Sequence, residues 1–176
     1  LYSSAASDVY KRQVHTRDLL YLLANMVFLY AFGATLEEEI EVAKVLAAFL
    51  TGGVLSFVLS MFVCEPSTVM LGASAAIFTL AAVAMLIRPL KLSWVLLMPL
   101  GLVALLHFVY NVAAVLTGGG GNVGYLGHVT GFIIGLTFGI AWNPAKWKRN
   151  LLVAVALLIA YYVVVSLLSF LFEGLP

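Results

Sequence analysis

Long apolar stretches separated by short polar breaks dominate the chain. Each stretch is roughly 17–25 residues long, which is the length that an α-helix needs to cross the hydrocarbon core of a bilayer. They lack the period-two alternation of a strand, and backbone groups in lipid must bond within a helix or a closed barrel. The pattern therefore predicts an all-α polytopic membrane helix bundle with six transmembrane helices, at Leu19–Leu36, Val42–Phe62, Met70–Ile87, Leu92–Leu116, Val123–Trp142 and Asn150–Phe172.

The composition supports an integral membrane protein. Of the 176 residues, 64% are hydrophobic and 10% are charged, whereas soluble domains are about 45–50% apolar and about 25% charged. The net charge of +1 gives no reason to expect a nucleic-acid partner. The single cysteine, Cys64, excludes a disulfide within the chain.

Basic residues predict the orientation of the bundle. Lysine and arginine accumulate in cytoplasmic loops, and here they flank one set of alternate loops, at Lys44, Arg88, Lys91, Lys146, Lys148 and Arg149. We therefore expect these loops to face the cytoplasm and the loops near Cys64 and Gly118–Gly121 to face outward. Lys11, Arg12 and Arg17 disagree with this orientation.

Residues 1–13 differ in composition from the rest and are interpreted as a non-native or disordered tail, outside the fold. The division expected from the sequence is this tail, a core over residues 14–142, and a C-terminal part over residues 143–176. That last part would contain a cytoplasmic loop and an additional transmembrane helix.

Polar side chains from four predicted helices fall at one depth near the outer surface. With a rise of about 1.5 Å per residue, Ser74 lies roughly 6 Å and His128 roughly 7–8 Å below the outer ends of their helices. Asn25 and Asn111 fall within about one turn of the same level, and Tyr21 lies one turn above Asn25. A polar group in a bilayer is costly unless it is satisfied or used. A serine and a histidine at equal depth suggest a nucleophile and its base.

Two interpretations of this layer remain open. Serine, asparagine and histidine in membrane helices often only bond across helix interfaces, for about 0.6–2 kcal/mol each. Small residues that let helix backbones approach closely are required by a catalytic pair and equally by simple packing. They recur every four residues on the fifth helix, at Gly127, Gly131, Gly135 and Gly139, and beside Ser74 at Gly72 and Ala76.

Several other chemistries are excluded by the residues available. The only aspartates, Asp8 and Asp18, lie outside the spans, which excludes an intramembrane aspartyl protease. No His-Glu-x-x-His motif and no phosphate-binding glycine loop are present, so we expect no metal and no cofactor. His107 is a competing base. Its greater depth favours a structural histidine bonded across a helix interface.

Three segments resemble motifs of the rhomboid family of intramembrane serine proteases, and most closely its archaeal members. Asn25–Glu37 resembles the first polar helix of that family, Gly72–Phe78 resembles its Gly-x-Ser-Gly helix start, and Gly127–Leu136 resembles its histidine helix. The resemblance in order and spacing covers about residues 15–141.

The resemblance implies a role for each matching residue. Ser74 would attack the scissile carbonyl and His128 would transfer the proton. Asn25 and the Ser74 backbone N–H would stabilise the oxyanion. Gly131 would let the histidine helix lie close to the serine helix, and Phe78 would pack on the histidine.

The sequence departs from the family pattern at three places. Tyr21 replaces a histidine that commonly supports the oxyanion site, and Ala75 replaces the last glycine of Gly-x-Ser-Gly. The helix that the family places before Asn25 is missing, so we expect an N-terminal truncation. Tyr21 and Ala75 leave open a catalytically impaired relative that binds membrane-spanning clients. A small transporter or channel is the second alternative.

The leading prediction is a serine endopeptidase that uses a Ser-His dyad. Its partners would be transmembrane protein substrates and the lipid bilayer. We expect it to lie in a prokaryotic, archaeal plasma membrane and to cleave near the extracytoplasmic face.

Overall fold

The computed structural model describes residues 16–63, 73–118 and 123–173. Within them the chain forms six α-helices and one short hairpin. In chain order these are α1 (Thr16–Glu39), α2 (Val42–Val63), α3 (Ser74–Ile87), β1 (Leu92–Ser93), β2 (Met98–Pro99), α4 (Leu100–Leu116), α5 (Val123–Trp142) and α6 (Trp147–Glu173). The predicted tail of residues 1–13 lies outside the described residues. The prediction of an all-α membrane bundle with six helices is confirmed.

The helices differ in their ability to cross a bilayer. Four of them, α1, α2, α5 and α6, are long and apolar enough to span one. Helix α3 has 14 residues and α4 has 17, which correspond to about 21 Å and about 26 Å. The hydrocarbon core is about 30 Å thick, so these two helices are shorter than the layer around them.

The fourth predicted span is wrong over its first eight residues. Leu92 pairs with Pro99 and Ser93 with Met98 in an antiparallel hairpin, and the helix begins only at Leu100. Pro99 has no N–H to contribute to a helix, and its extended backbone leads into α4. The turn contains Leu97 at a positive φ of 54°. Some of its apolar side chains are exposed, such as Trp94 at 83%, and others pack on the core, such as Leu96 and Met98. By hydropathy alone the hairpin cannot be distinguished from a membrane helix.

Helix α3 forms the centre of the bundle and packs against all five other helices. Every residue from Thr79 to Leu86 is buried. The side chains of α1, α2, α4 and α5 that face it complete one apolar core. The short central helix is therefore surrounded by protein rather than lipid.

Glycines on α5 allow its backbone to approach α3 closely. A Cβ atom added at Gly131 would overlap the carbonyl oxygen of Ala75, and one added at Gly135 would overlap the carbonyl oxygen of Thr79. The hydroxyl of Thr79 donates a hydrogen bond to the carbonyl oxygen of Gly131 at 2.9 Å. The repeated glycines of the sequence thus form the contact between α3 and α5.

Charged residues join α1 to the segment after α3 at one end of the bundle. The Arg88 Nε lies 2.6 Å from the Glu39 carboxylate, and Lys91 pairs with Glu38. Ser74 is at the other end of α3, about 21 Å away along the helix axis. The bundle therefore has a charged end and, opposite to it, the end that carries the candidate nucleophile.

Only the first part of α6 packs on the bundle. Asn150 is 4% exposed and donates from Nδ2 to the carbonyl oxygens of Leu86 at 2.7 Å and Ile87 at 3.0 Å. Ala154 is also buried, whereas the side chains from Ile159 to Phe172 are exposed. The base of α6 is thus held by polar bonds to the end of α3.

We expect Gly135→Ala to destabilise the protein, because the added methyl group would overlap the backbone of α3. Alanine is favoured over glycine by about 1 kcal/mol within a helix, but overpacking typically costs about 1–3 kcal/mol. The net effect should be a lower midpoint of unfolding in detergent, measured by circular dichroism.

Gly124→Ala is the matched control, because an added Cβ atom there would meet nothing within 4 Å. This variant should unfold at or slightly above the wild-type midpoint. Equal midpoints for the two variants would contradict the proposed close contact.

Candidate active site

Ser74 is the first residue of α3, directly after Ala73 at the N-cap position. The first hydrogen bond of the helix runs from the Ile77 N–H to the carbonyl oxygen of Ala73 at 3.0 Å. The first N–H groups of a helix have no acceptor within it, and the helix dipole makes this end partly positive. The Ser74 backbone N–H is therefore available to an oxygen that becomes negative beside the hydroxyl.

A small cavity of about 30 Å³ begins at Ser74 and extends along α3. Three residues with polar side chains are among those that line it, Asn25 on α1, Ser74 on α3 and His107 on α4. The rest of the lining is apolar, at Phe28, Phe32, Ile77, Phe78, Ala81 and Ala104. The surface that faces the cavity is almost wholly apolar, although three of the lining residues carry polar groups. The cavity thus brings residues of three helices together beside Ser74.

His128 on α5 is held by a hydrogen bond to Asn111 on α4, with Nδ1 lying 2.7 Å from Asn111 Oδ1. The Asn111 Nδ2 donates to the carbonyl oxygen of His107 at 2.7 Å, so the Asn111 oxygen is the atom that faces the imidazole. Because a carbonyl oxygen only accepts, the His128 Nδ1 carries the proton. In the neutral imidazole this leaves the lone pair on Nε2, the atom that a general base uses.

Phe78 fixes the plane of the His128 ring. The two rings stack with centroids 4.4 Å apart and planes 6° from parallel. Phe78 is one turn after Ser74 in α3, and residues four apart share a helix face. The imidazole therefore lies beside the face of α3 that carries Ser74. Within the described residues, no hydrogen bond joins the Ser74 hydroxyl to His128.

The contact between Gly131 and Ala75 explains how the two helices approach each other here. Gly131 is one turn after His128, and Ala75 follows Ser74 directly. Their backbones are so close that no Cβ atom fits at Gly131. A short serine side chain on one helix can thus lie near a side chain on the other.

His107 differs from the expectation of a bond across a helix interface. Its Nδ1 lies 2.9 Å from the carbonyl oxygen of Val103, within its own helix. Its ring is edge-on to Phe28 at 4.8 Å and to Phe78 at 6.5 Å between centroids. Although it lines the same cavity as Ser74, its Nδ1 is occupied by the backbone.

Of the described residues predicted for the site, Asn25, Ser74 and Phe78 line the cavity, whereas His128, Ala75, Gly131 and Tyr21 do not. Tyr21 lies one turn before Asn25 on α1 but is 73% exposed and does not line the cavity. Gly72 lies outside the described residues. Ala75 and Gly131 form the close contact between α3 and α5, and His128 stacks on Phe78.

The sequence does not reveal the role of Asn111, which is to bind the His128 ring. Its depth places Asn111 in the polar layer but indicates no partner for it. Asn111 is 3% exposed, and both the oxygen and the nitrogen of its side-chain amide are hydrogen-bonded. A spacing of four residues from His107 placed the two on one helix face, but no sequence signal indicated that the asparagine oxygen faces His128.

A family model described as the Rhomboid domain matches residues 14–145. No curated protein and no solved structure gives a significant match to the chain. Since the matched region covers most of the chain and contains the serine, histidine and asparagine described above, the chain belongs to the rhomboid family of intramembrane serine proteases.

Proposed function

We propose that this protein is an intramembrane serine endopeptidase that works through a dyad of Ser74 and His128. One observation carries the proposal. Asn111 binds the His128 Nδ1 at 2.7 Å and so leaves Nε2 as the basic atom, on a ring stacked beside the helix face that starts with Ser74. Catalytic hydrogen bonds are often longer without substrate than in the reacting complex.

The proposed reaction is an acyl transfer in two steps. The Ser74 Oγ attacks the scissile carbonyl carbon while the His128 Nε2 takes the hydroxyl proton. The tetrahedral intermediate collapses as His128 gives this proton to the departing amine. A water molecule, deprotonated by His128, then attacks the acyl ester, releases the new carboxylate and restores the Ser74 hydroxyl.

The developing oxyanion would be stabilised by the Ser74 backbone N–H and by the Asn25 side chain. The N–H has no acceptor within α3, and Asn25 lines the cavity that Ser74 lines. Fixed donors in a site with little water are worth about 2.7–4 kcal/mol each. Because Tyr21 is largely exposed, the proposal assigns it at most a supporting role beside Asn25.

The substrates proposed are transmembrane proteins, cleaved near the extracytoplasmic face. The charged end of the bundle carries Arg88 and Lys91, and basic residues favour the cytoplasmic side. Ser74 begins α3 at the opposite end.

Ser74→Ala should abolish cleavage of a transmembrane substrate, because the nucleophilic oxygen is removed. The expected loss in kcat is at least about 10⁴-fold, measured with the purified protein in proteoliposomes. A fluorophosphonate probe should label the wild type and fail to label this variant.

Ser166→Ala is the control for that experiment, because Ser166 lies on the exposed part of α6. It should be labelled and should cleave like the wild type. Binding of membrane-spanning clients by a correctly folded wild type that neither cleaves nor reacts with the probe would instead support the impaired relative.

Replacing His128 and His107 separately by glutamine should show which of the two histidines is the general base. His128→Gln removes the proposed proton carrier and should lower kcat about 10²–10⁴-fold. His107→Gln should cost less than about 10-fold, because the His107 Nδ1 already bonds within α4. A larger loss with His107→Gln, measured on the same substrate, would make His107 the base.

Asn111 is proposed as a positioning residue that sets the His128 tautomer. Asn111→Leu should lower kcat about 10–100-fold with little change in KM, since a hydrogen bond to a buried group is worth about 1–3 kcal/mol. The ¹⁵N shifts of the His128 ring should show a mixture of tautomers in this variant.

Asn111→Asp keeps an oxygen acceptor and should retain the Nδ1-protonated form and most of the activity. If Asn111→Leu instead leaves both the ring ¹⁵N shifts and kcat unchanged, Asn111 has only a packing role.

A further inference from the structure

A second, larger cavity lies at the charged end of the bundle, away from Ser74. It measures about 590 Å³, is open on one side, and is lined by the ends of α1, α3 and α5, the segment after α3 and the start of α6. Four cationic side chains line it, from Arg88, Lys91, Lys146 and Arg149, together with one acidic side chain, from Glu39. We name it the basic cavity.

We propose that the basic cavity binds a phosphate-bearing ligand. Two of its four cations already have acidic partners, since Arg88 pairs with Glu39 and Lys91 pairs with Glu38. Lys146 and Arg149 form no ion pair with any acidic group in the described part of the chain. Two unneutralised cations on one wall of a cavity attract an anion, and arginine and lysine are the side chains that hold phosphate.

Two carbonyl groups at the end of α3 are hydrogen-bonded where they reach the basic cavity. The last carbonyl groups of a helix carry a partial negative charge, and those of α3 end at this cavity. Asn143 and Asn150 donate from their side-chain amides to the Leu86 carbonyl oxygen at 2.8 Å and 2.7 Å, and Asn150 also donates to Ile87. These carbonyl groups are therefore satisfied within the protein.

The helix that carries Arg149 adds a favourable field. Helix α6 has 27 residues and begins at Trp147, next to Lys146 in the cavity wall. The positive end of its dipole is thus at the cavity, where it favours an anion. The dipole of α6, Lys146 in the preceding loop and Arg149 in the first turn all favour an anion in the basic cavity.

The position of the cavity favours the headgroup of an anionic phospholipid as the source of the phosphate. Trp142 lines the cavity, and tryptophan is enriched at the headgroup level of membranes. The neighbouring hairpin exposes Trp94 and Leu97, at 83% and 74%, in the manner of an interfacial segment. Basic pockets between membrane helices are known to hold anionic headgroups. Free inorganic phosphate offers the same chemistry and is distinguished by experiment.

The test uses the full chain in neutral detergent and a double variant, Lys146→Gln with Arg149→Gln. Short-chain phosphatidylglycerol, phosphatidylcholine and sodium phosphate are titrated separately, and binding is followed by tryptophan fluorescence, to which Trp142 in the cavity wall contributes. We expect phosphatidylglycerol to bind at least about 10-fold more tightly than phosphatidylcholine, and the double variant to lose at least about 10-fold in affinity for it.

Lys148→Gln is the matched control. Lys148 lies between the two cations in sequence, but its ammonium group is over the Trp147 ring at 5.5 Å and it does not line the cavity. It should bind phosphatidylglycerol like the wild type, and so should Ser74→Ala, because the proposal is independent of catalysis. The unfolding midpoint without lipid shows that each variant is folded, and the single variants replace the double one if it is not.

The outcomes separate the sources of phosphate. Binding of phosphatidylglycerol that the double variant weakens, with much weaker binding of sodium phosphate, assigns the cavity to a lipid headgroup. Equally tight binding of sodium phosphate with the same dependence on the variant assigns it to free phosphate. Equal affinity for the two lipids without phosphate binding, or equal behaviour of the double variant and Lys148→Gln, overturns the proposal.

Discussion

The close contact between α3 and α5 is the constraint on which the rest of the structure depends. Helices with larger side chains at their contact lie about 8–10 Å apart, and the absence of side chains at Gly131 and Gly135 lets these backbones come closer. The fully buried Thr79 ties them together by donating to Gly131. Serine has one of the shortest polar side chains, so a site that joins it to a residue on another helix needs such an approach.

Buried polar groups around His128 form a connected arrangement rather than isolated contacts. A buried amide costs free energy unless it is hydrogen-bonded, and the Asn111 amide is used on both its oxygen and its nitrogen. Together with the stacked Phe78 ring, this fixes the imidazole before any substrate is present. In the proposed reaction, His128 would therefore need little rearrangement, which is how preorganised polar groups contribute to catalysis.

The six helices could be predicted from the sequence, because they depend on the length of the apolar runs. The predicted span Val123–Trp142 coincides with α5. The hairpin before α4 could not be predicted, because side chains such as Trp94 are equally apolar in a membrane helix and at an interface. Depth also says nothing about which way a side chain faces around its helix axis. His107, expected about two turns below Ser74, therefore lines a cavity that reaches from Ser74 down to Ala81.

The length of α6 determines how this protein fits membranes of different thickness. Its apolar stretch of 26 residues is about 39 Å long, or about 9 Å more than the hydrocarbon layer. A helix that is too long tilts or thickens the bilayer around it. Since α6 is anchored near Asn150 and the side chains of its far half are exposed, its inclination can follow the bilayer while the packed core keeps its shape.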